Sequence, residues 1–271
     1  MNRTSTLIVT ADDFGLAPEV NEAVEVAHRD GILTAASLMV AEPWAADAVE
    51  RAGRLPGLVV GLHLTLVEGR AVLPSSAIPD LIGPNGRLRT DLARYGTAIA
   101  LRPVVRRQVE AEIRAQFEAY RATGLPLAHV DAHKHYHLHP TIAAILLRVA
   151  REYGVSRLRV PVEPSDVLAQ IEPVARGPEA RLAAPYATWL RRRARRAGFT
   201  VADQVFGLAW SGGMGRDRMA GLLANLPPGR TEIYTHPATA GGFDGAAPGY
   251  GYADELAALI APEIVAMHKK A

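Results

Sequence analysis

The chain opens on a short β-branched apolar run, Thr6–Thr10, that ends in Ala11-Asp12-Asp13-Phe14-Gly15. The pattern predicts a buried strand delivering two carboxylates at its C-terminal end. Over Asn21–Asp30 the residues Ala23, Val24 and Ala27 recur at helical spacing, and Gly31 stops the helix. Leu33–Val40 and Leu58–Leu66 (LVVGLHLTL) read as the second and third strands, with a helix over Ala45–Ala52 between them and His63 inside the third strand. Glu68–Leu88 is rich in Pro, Gly and Ser and predicts a long loop, a feature often functional in compact domains. Val104–Ala122 predicts a strong amphipathic helix ending near Gly124. Leu127–Asp131 reads as a strand, and Thr141–Glu152 as a helix with Pro140 in the favoured first-turn position. Further on come a short strand Arg157–Val160, an irregular segment Glu163–Ala183 and helices over Thr188–Ala197 and Arg216–Asn225. A strand Thr231–Thr235 and a last helix from Ala253 to His268 complete the chain.

Strands alternating with helices imply parallel pairing and an α/β fold. Without internal repeats or a low-complexity linker, one domain is expected. In such folds reactive groups gather beyond the C-terminal ends of the strands, where the carboxylates and most of the histidines of this chain fall. The composition, 49% hydrophobic and 21% charged over 271 residues, supports a substantial core and carries no disorder signature. There is no cysteine, which excludes disulfides, thiolate metal sites and a Cys nucleophile, and fits a reducing compartment. The run Leu7–Val9 is too short for a signal-peptide core, and no stretch approaches the roughly 18 apolar residues of a membrane span, so a soluble cytoplasmic protein is expected. Net charge is +2, much of it in Arg191–Arg196 (RRRARR), too local for a nucleic-acid footprint. No GxSxG elbow, P-loop, strand-borne GxGxxG or HExxH is present.

Nine histidines occur, five of them in His129–His139 (HVDAHKHYHLH) beside Asp131. Their spacing of two predicts side chains on one face of an extended segment, and their density points to a metal or substrate site. Asp12 and Asp13 fit either a helix cap or a shared site in which one carboxylate binds a metal and the other acts as general base toward water. His63 reads equally as a core histidine or a ligand. His236 ends a strand before Pro237, and Arg159, on a short apolar strand, requires a carboxylate partner.

The motifs TADDFG (Thr10–Gly15), GLHLTL (Gly61–Leu66), HVDAHKHYH (His129–His137), LRVP (Leu158–Pro161) and YTHPA (Tyr234–Ala238) stand in one order along nearly the whole chain. Together they closely resemble the YdjC-like carbohydrate deacetylase family. The segments Ile32–Pro43, Glu112–Pro140 and Phe206–Met214 look nearest to its hopanoid-biosynthesis-associated branch. The resemblance implies a single-domain (β/α)-barrel-like fold, a distorted TIM-type barrel as in polysaccharide deacetylases. It implies one divalent ion held by Asp13, His63 and His133, with Mg, Zn, Mn and Co all compatible with two histidines and a carboxylate. It further implies Asp12 as general base, His236 as general acid or oxyanion partner, and Arg159 as the residue that orients Asp12. The chain departs from the family's usual DSHHH by placing Lys134 between His133 and His135. The implied reaction is hydrolysis of an N-acetyl group on an amino sugar, an N-acetylglucosaminyl hopanoid lipid in this branch. A chitooligosaccharide deacetylase, a metal-dependent glycosidase or phosphoesterase, and a non-catalytic sugar-binding protein are the competing readings. A lipid-linked substrate brings the expectation that Tyr186–Phe199 (YATWLRRRARRAGF) contacts the inner membrane face peripherally, and related proteins suggest a homodimer.

Overall fold

Strand β1 (Thr6–Phe14) sits at the middle of the sheet and shows how the sequence builds the barrel. In the computed structural model, which describes residues 6–174 and 178–270, Val9 and Ala11 point into the apolar core while Thr10 and Asp12 point the other way, into a buried polar network. The same period of two recurs on β2 (Ala35–Leu38), β3 (Val59–Leu64), β4 (Val130–Ala132) and β6 (Arg230–Thr235). Ala36, Leu38, Leu62, Leu64, Val130, Ala132 and Ile233 join the apolar core, and Ser37, His63, Asp131 and Glu232 join the polar network. Both faces are buried, so the alternation does not resemble the polar-out pattern of a surface strand.

All six strands are parallel, in the order β4-β3-β2-β1-β6-β5, with β5 (Gln204–Phe206) at one edge. The extended segment 157–162 lies between the two edges. The Val130 N–H donates to the Arg157 carbonyl and the Arg159 N–H to the Val130 carbonyl on the β4 side, and the Val205 N–H donates to the Val162 carbonyl on the β5 side. The curled sheet is thereby completed into a distorted (β/α)-barrel, as expected. Residues Arg157–Val160 serve as its seam rather than as a regular strand.

Helices α1 (Pro18–Asp30), α2 (Ala45–Gly53), α3 (Leu92–Leu101), α4 (Pro103–Ala122) and α5 (Pro140–Glu152) flank the first half of the barrel. In the second half, α6 (Ser165–Ile171), α7 (Pro178–Arg196), α8 (Arg216–Ala224), α9 (Tyr252–Ile260) and α10 (Pro262–His268) do the same. The predicted loop Glu68–Leu88 contains neither a helix nor a regular strand. Three further expectations are corrected, and two elements were not expected. The segment Glu163–Ala183 is not irregular, since it holds α6 and the start of α7; its residues 175–177 lie outside the described residues. The single last helix is two, because Pro262 has no N–H to donate and holds Ala261 extended. Helix α3 and strand β5 were not predicted at all. The histidine-rich run is not extended: β4 ends at Ala132, and His133–Leu138 form a 3-10 turn with Lys134 and His135 left-handed, which fans the histidines apart. Among the described residues no helix is long and apolar enough to cross a membrane.

Candidate metal centre and catalytic cleft

Adjacent residues of a strand face opposite ways, yet Asp12 and Asp13 reach one site. The register of β1 against β2 slips between Ala11 and Phe14, and Asp13 adopts φ +62°, so the strand turns sharply at its end. The turn is held from behind, because the Gly15 N–H donates to Asn21 Oδ1 at 2.7 Å. Asp13 Oδ1 then lies 2.9 Å from His133 Nδ1 and 3.3 Å from His63 Nε2. The ligand-type atoms of Asp13, His63 and His133 all fall within 4.8 Å of one another.

The tautomer of His63 shows what this cluster is suited to hold. Its Nδ1 lies 2.7 Å from Asp131 Oδ1, and an ionised carboxylate only accepts, so Nδ1 carries the hydrogen. A neutral ring therefore turns the lone pair of Nε2 toward the Asp13 carboxylate, an arrangement that needs a proton or a cation between them. Without a metal ion the proton supplies it. Burial opposes charging, but Asp131, Asp12 and the hydrogen bonds to Asp13 and Asp131 raise the pKa of His63 to about 10. Burial also opposes the ionisation of Asp13, yet the two histidines hold its carboxyl well below the usual range. A carboxylate–histidine pair oriented by a further carboxylate is the usual surrounding of a metal-binding imidazole. The donor set, one carboxylate and two imidazoles, fits a divalent ion.

Behind this triad Arg159 is fully buried. Its guanidinium meets Glu232 Oε1 at 2.8 Å, Asp12 Oδ2 at 2.7 Å and Asp131 Oδ2 at 2.8 Å, with the Tyr234 ring stacked over it. The requirement for a carboxylate partner is thus met three times over. Asp12 is 2% exposed; Oδ2 is held by Arg159, and Oδ1 is buried without a partner. Three buried carboxylates, Asp12, Asp131 and Glu232, share one arginine and a fourth, Asp13, lies between the two histidines, a further reason for a cation to be welcome here.

The triad forms the floor of a cavity of about 470 Å³. One wall is polar and comes from the 68–91 segment and the 3-10 turn, with Glu68, Asn85, Arg87, Thr90 and Lys134. The other is apolar and aromatic, with Leu208, Ala246, Pro248, Tyr250 and His236. His236 lines the cleft at the end of β6; its backbone N–H donates to Glu255 and its ring packs edge-on against Tyr250. Among the described residues, the non-glycine residues with left-handed backbone, Asp13, Glu68, Lys134 and His135, all line this cavity. Such strain persists where the surroundings enforce it and gathers at functional sites.

All six residues expected from the sequence, Asp12, Asp13, His63, His133, Arg159 and His236, meet in or directly beneath the cleft. The rest of the histidine cluster divides. His135 lines the cleft and bonds the Tyr234 hydroxyl at 2.9 Å. His137 and His139 bond the carbonyls of Arg159 and Gly96, and His129 bonds Ser37 inside the barrel. Sequence reasoning gave no role to Glu232, Ser37, Tyr234 or Glu255, and treated Asp131 only as a neighbour of the histidines. For Asp131, Glu232 and Tyr234 the signal is the period of two, Thr10 with Asp12, His129 with Asp131 and Glu232 with Tyr234; Ser37 and Glu255 have no such signal.

A crystal structure from Enterococcus faecalis V583, described as a candidate cellobiose-phosphate cleavage protein, superposes with a TM-score of 0.76 over 98% of this chain and 95% of that one. At 23% identity the likeness shows a shared fold. A carbohydrate deacetylase of Brevibacillus brevis is 41% identical over 156 residues, 58% of each chain. One of Vibrio vulnificus is 39% identical over 149 residues, covering 55% of this chain and 56% of the relative. The aligned stretch thus spans little more than half the length of these relatives. A third, from Geobacillus stearothermophilus, is 30% identical over 85% of this chain and 78% of its own length. The family model described as YdjC-like protein matches residues 6–270, and the chain belongs to that family.

Proposed function

We propose that the protein is a metal-dependent deacetylase that hydrolyses the N-acetyl group of an amino sugar. The observation that carries this reading is the pairing, on one cleft floor, of an Asp13–His63–His133 ligand set with a carboxylate, Asp12, that keeps one buried oxygen free. A divalent ion held by Asp13, His63 and His133 would supply the positive charge that polarises an amide carbonyl and acidifies water. The chain's own residues do the rest. Arg159 fixes Asp12 through Oδ2, so that Oδ1 faces the reaction and takes the proton of the attacking water. His236, on the opposite wall, delivers a proton to the departing amine. Acetate and a free amino sugar result. The relatives named carbohydrate deacetylases support the same chemistry.

Within this reading the substrate is an N-acetylglucosaminyl hopanoid lipid, acted on at the cytoplasmic face of the membrane. Two features support a lipid-linked substrate. Leu208 lines the cleft yet is 40% exposed, a seat for an apolar substituent. On α7, Trp189 is 48% exposed and stacks with Arg193, next to the exposed Arg192, Arg195 and Arg196, while Leu190 and Ala194 turn inward. Such a face suits anionic headgroups.

The test is acetate release from lipid-linked and soluble N-acetylglucosaminyl compounds, by metal-stripped protein and with each divalent ion restored. Ion-dependent acetate release is expected, lipid-linked compounds being preferred. Asp12→Asn should lower turnover by about 10²–10⁴-fold while retaining the ion. Folded, ion-loaded protein that releases no acetate from any compound removes the reading in favour of another hydrolase or a binding role. Preference for soluble oligosaccharides removes the lipid.

A further inference from the structure

Lys134 and Glu68 form an ion pair, Nζ to Oε2 at 3.1 Å, at the polar wall of the cleft. Their side chains are 37% and 31% exposed, so the pair is open to the cleft rather than sealed. Both residues hold left-handed backbone, φ +55° and +57°. An exposed ion pair gains little, less than left-handed backbone costs at two residues that are not glycine. Stability of the fold therefore does not account for the pair. Position does: Lys134 directly follows His133 of the ligand set, and Glu68 is tied down where it stands, its N–H donating to the Arg89 carbonyl.

The pair also has unused capacity. An ammonium carries three N–H donors and a carboxylate two accepting oxygens, and their mutual contact uses one of each. Among the described residues neither side chain has another partner. Side by side they offer what a sugar hydroxyl needs, a donor toward its oxygen and an acceptor for its hydrogen. Small sets of placed polar groups of this kind set ligand orientation in otherwise permissive clefts.

We infer that Lys134 and Glu68 form a hydroxyl-reading subsite that selects an amino sugar carrying a free hydroxyl on the carbon next to the acetamido group. The inference rests on the N-acetyl-sugar reading above. In this placement the acetamido group lies at the ligand set and the neighbouring ring hydroxyl lies against the polar wall of the same cavity, which carries both residues. That hydroxyl donates to Glu68 and accepts from Lys134. Neither residue takes part in bond breaking; both are specificity determinants.

Calorimetric binding of a 2-acetamido glucoside and of its 3-deoxy analogue, to ion-loaded protein carrying Asp12→Asn throughout so that turnover does not intrude, with positions 68 and 134 wild type or substituted, separates the possibilities. Protein that is wild type at positions 68 and 134 is expected to bind the parent sugar roughly tenfold or more tightly than the deoxy analogue, the effect of one hydrogen bond to a charged group. Lys134→Met and Glu68→Gln should each reduce that preference to about threefold or less, and melting temperature confirms that the variants are folded. Glu68→Gln keeps the shape and one accepting oxygen, so a smaller loss there than in Lys134→Met accords with the subsite. Equal binding of the two sugars with both positions wild type overturns it, as does a preference that both variants retain in full. Discrimination in binding, with no acetate released by the fully wild-type protein, keeps the subsite and removes the deacetylase reading.

Discussion

Two buried polar clusters hang on the same strand, two residues apart, and they are built to opposite standards. At Thr65, just beyond β3, the network is closed. Gln116 Oε1 accepts the Thr65 N–H and Gln116 Nε2 donates to the Thr65 carbonyl and to Glu112, which in turn accepts the N–H groups of Val72 and Leu73. Every group in it has a partner. At His63 the network is open: a proton on Nε2 is what holds the ring to the Asp13 carboxylate, and Asp12 Oδ1 has no partner. Buried polar groups are nearly always satisfied, so the fold alone accounts for the closed cluster, and the open one is the candidate ligand site. The first ties the 68–91 wall of the cleft to α4; the second holds the residues proposed above as ion ligands and general base.

The sharpest way to break the contrast is at Arg159. Arg159→Met leaves Asp12, Asp131 and Glu232 buried without their cation. Removing one partner of a buried ion pair typically costs about 3–5 kcal/mol, so the melting temperature should fall by on the order of 10 °C. Acetate release should fall by roughly 10²-fold or more, because Asp12 loses the contact that aims it. A variant that melts with the parent would mean the carboxylates are neutral in the fold, and the open cluster would then not favour a cation.

Glu112→Ala tests the closed cluster. It leaves the Val72 and Leu73 N–H groups and one Gln116 N–H without their acceptor, a loss of about 1–3 kcal/mol by the usual cost of an unsatisfied group. Burial already pushes the Glu112 carboxyl above its ordinary range, so part of its contribution is offset in the folded state. The wall it anchors carries Glu68, so sugar binding should weaken several-fold while ion binding stays at the parent's level. Loss of the ion in Glu112→Ala would show that the two clusters are one unit.

These two clusters also mark how far the sequence could be read. The end of β1, the strand with His63 and the histidine run were legible, because apolar runs and dense chemistry are local signals. So were the long loop and helices α1, α2, α4, α5 and α8. The barrel's interior was less so. Parallel strands buried on both faces read as near-continuous apolar runs, a pattern that gives no weight to single polar residues such as Ser37 and Glu232 and left Asp131 as no more than a neighbour of the histidines. Their roles depend on Arg159, which reaches them across the barrel from a segment too short to announce itself. The left-handed turn at Lys134 and His135 is set by tertiary packing, so the spacing of two in HKHYH misled. Strand β5 has three residues and α3 contains Gly96 and Thr97, both weak helix formers, so neither rose above background.

The mildest prediction concerns the proton at His63. In ion-free protein the pKa of His63 is raised to about 10 by Asp131, Asp12 and Asp13 against the effect of burial. The sign follows from the direction of the shift. The protonated ring's contribution to stability is complete below the ordinary imidazole value of about 6.5 and is lost as pH rises through about 10. An ion that takes the Nε2 lone pair must expel this proton, so its affinity should rise about tenfold per pH unit through the neutral range and level off near pH 10. Calorimetric titration of zinc or manganese at pH 7.5, in buffers of differing ionisation heat, should count about one proton released per ion bound. Release of none would mean that His63 is already neutral, and with it the geometric case for a cation between Nε2 and Asp13 would lose its support. In His63→Asn the same titration should show weaker binding and no proton from this position, which ties the released proton to the ring rather than to the buried carboxylates around it.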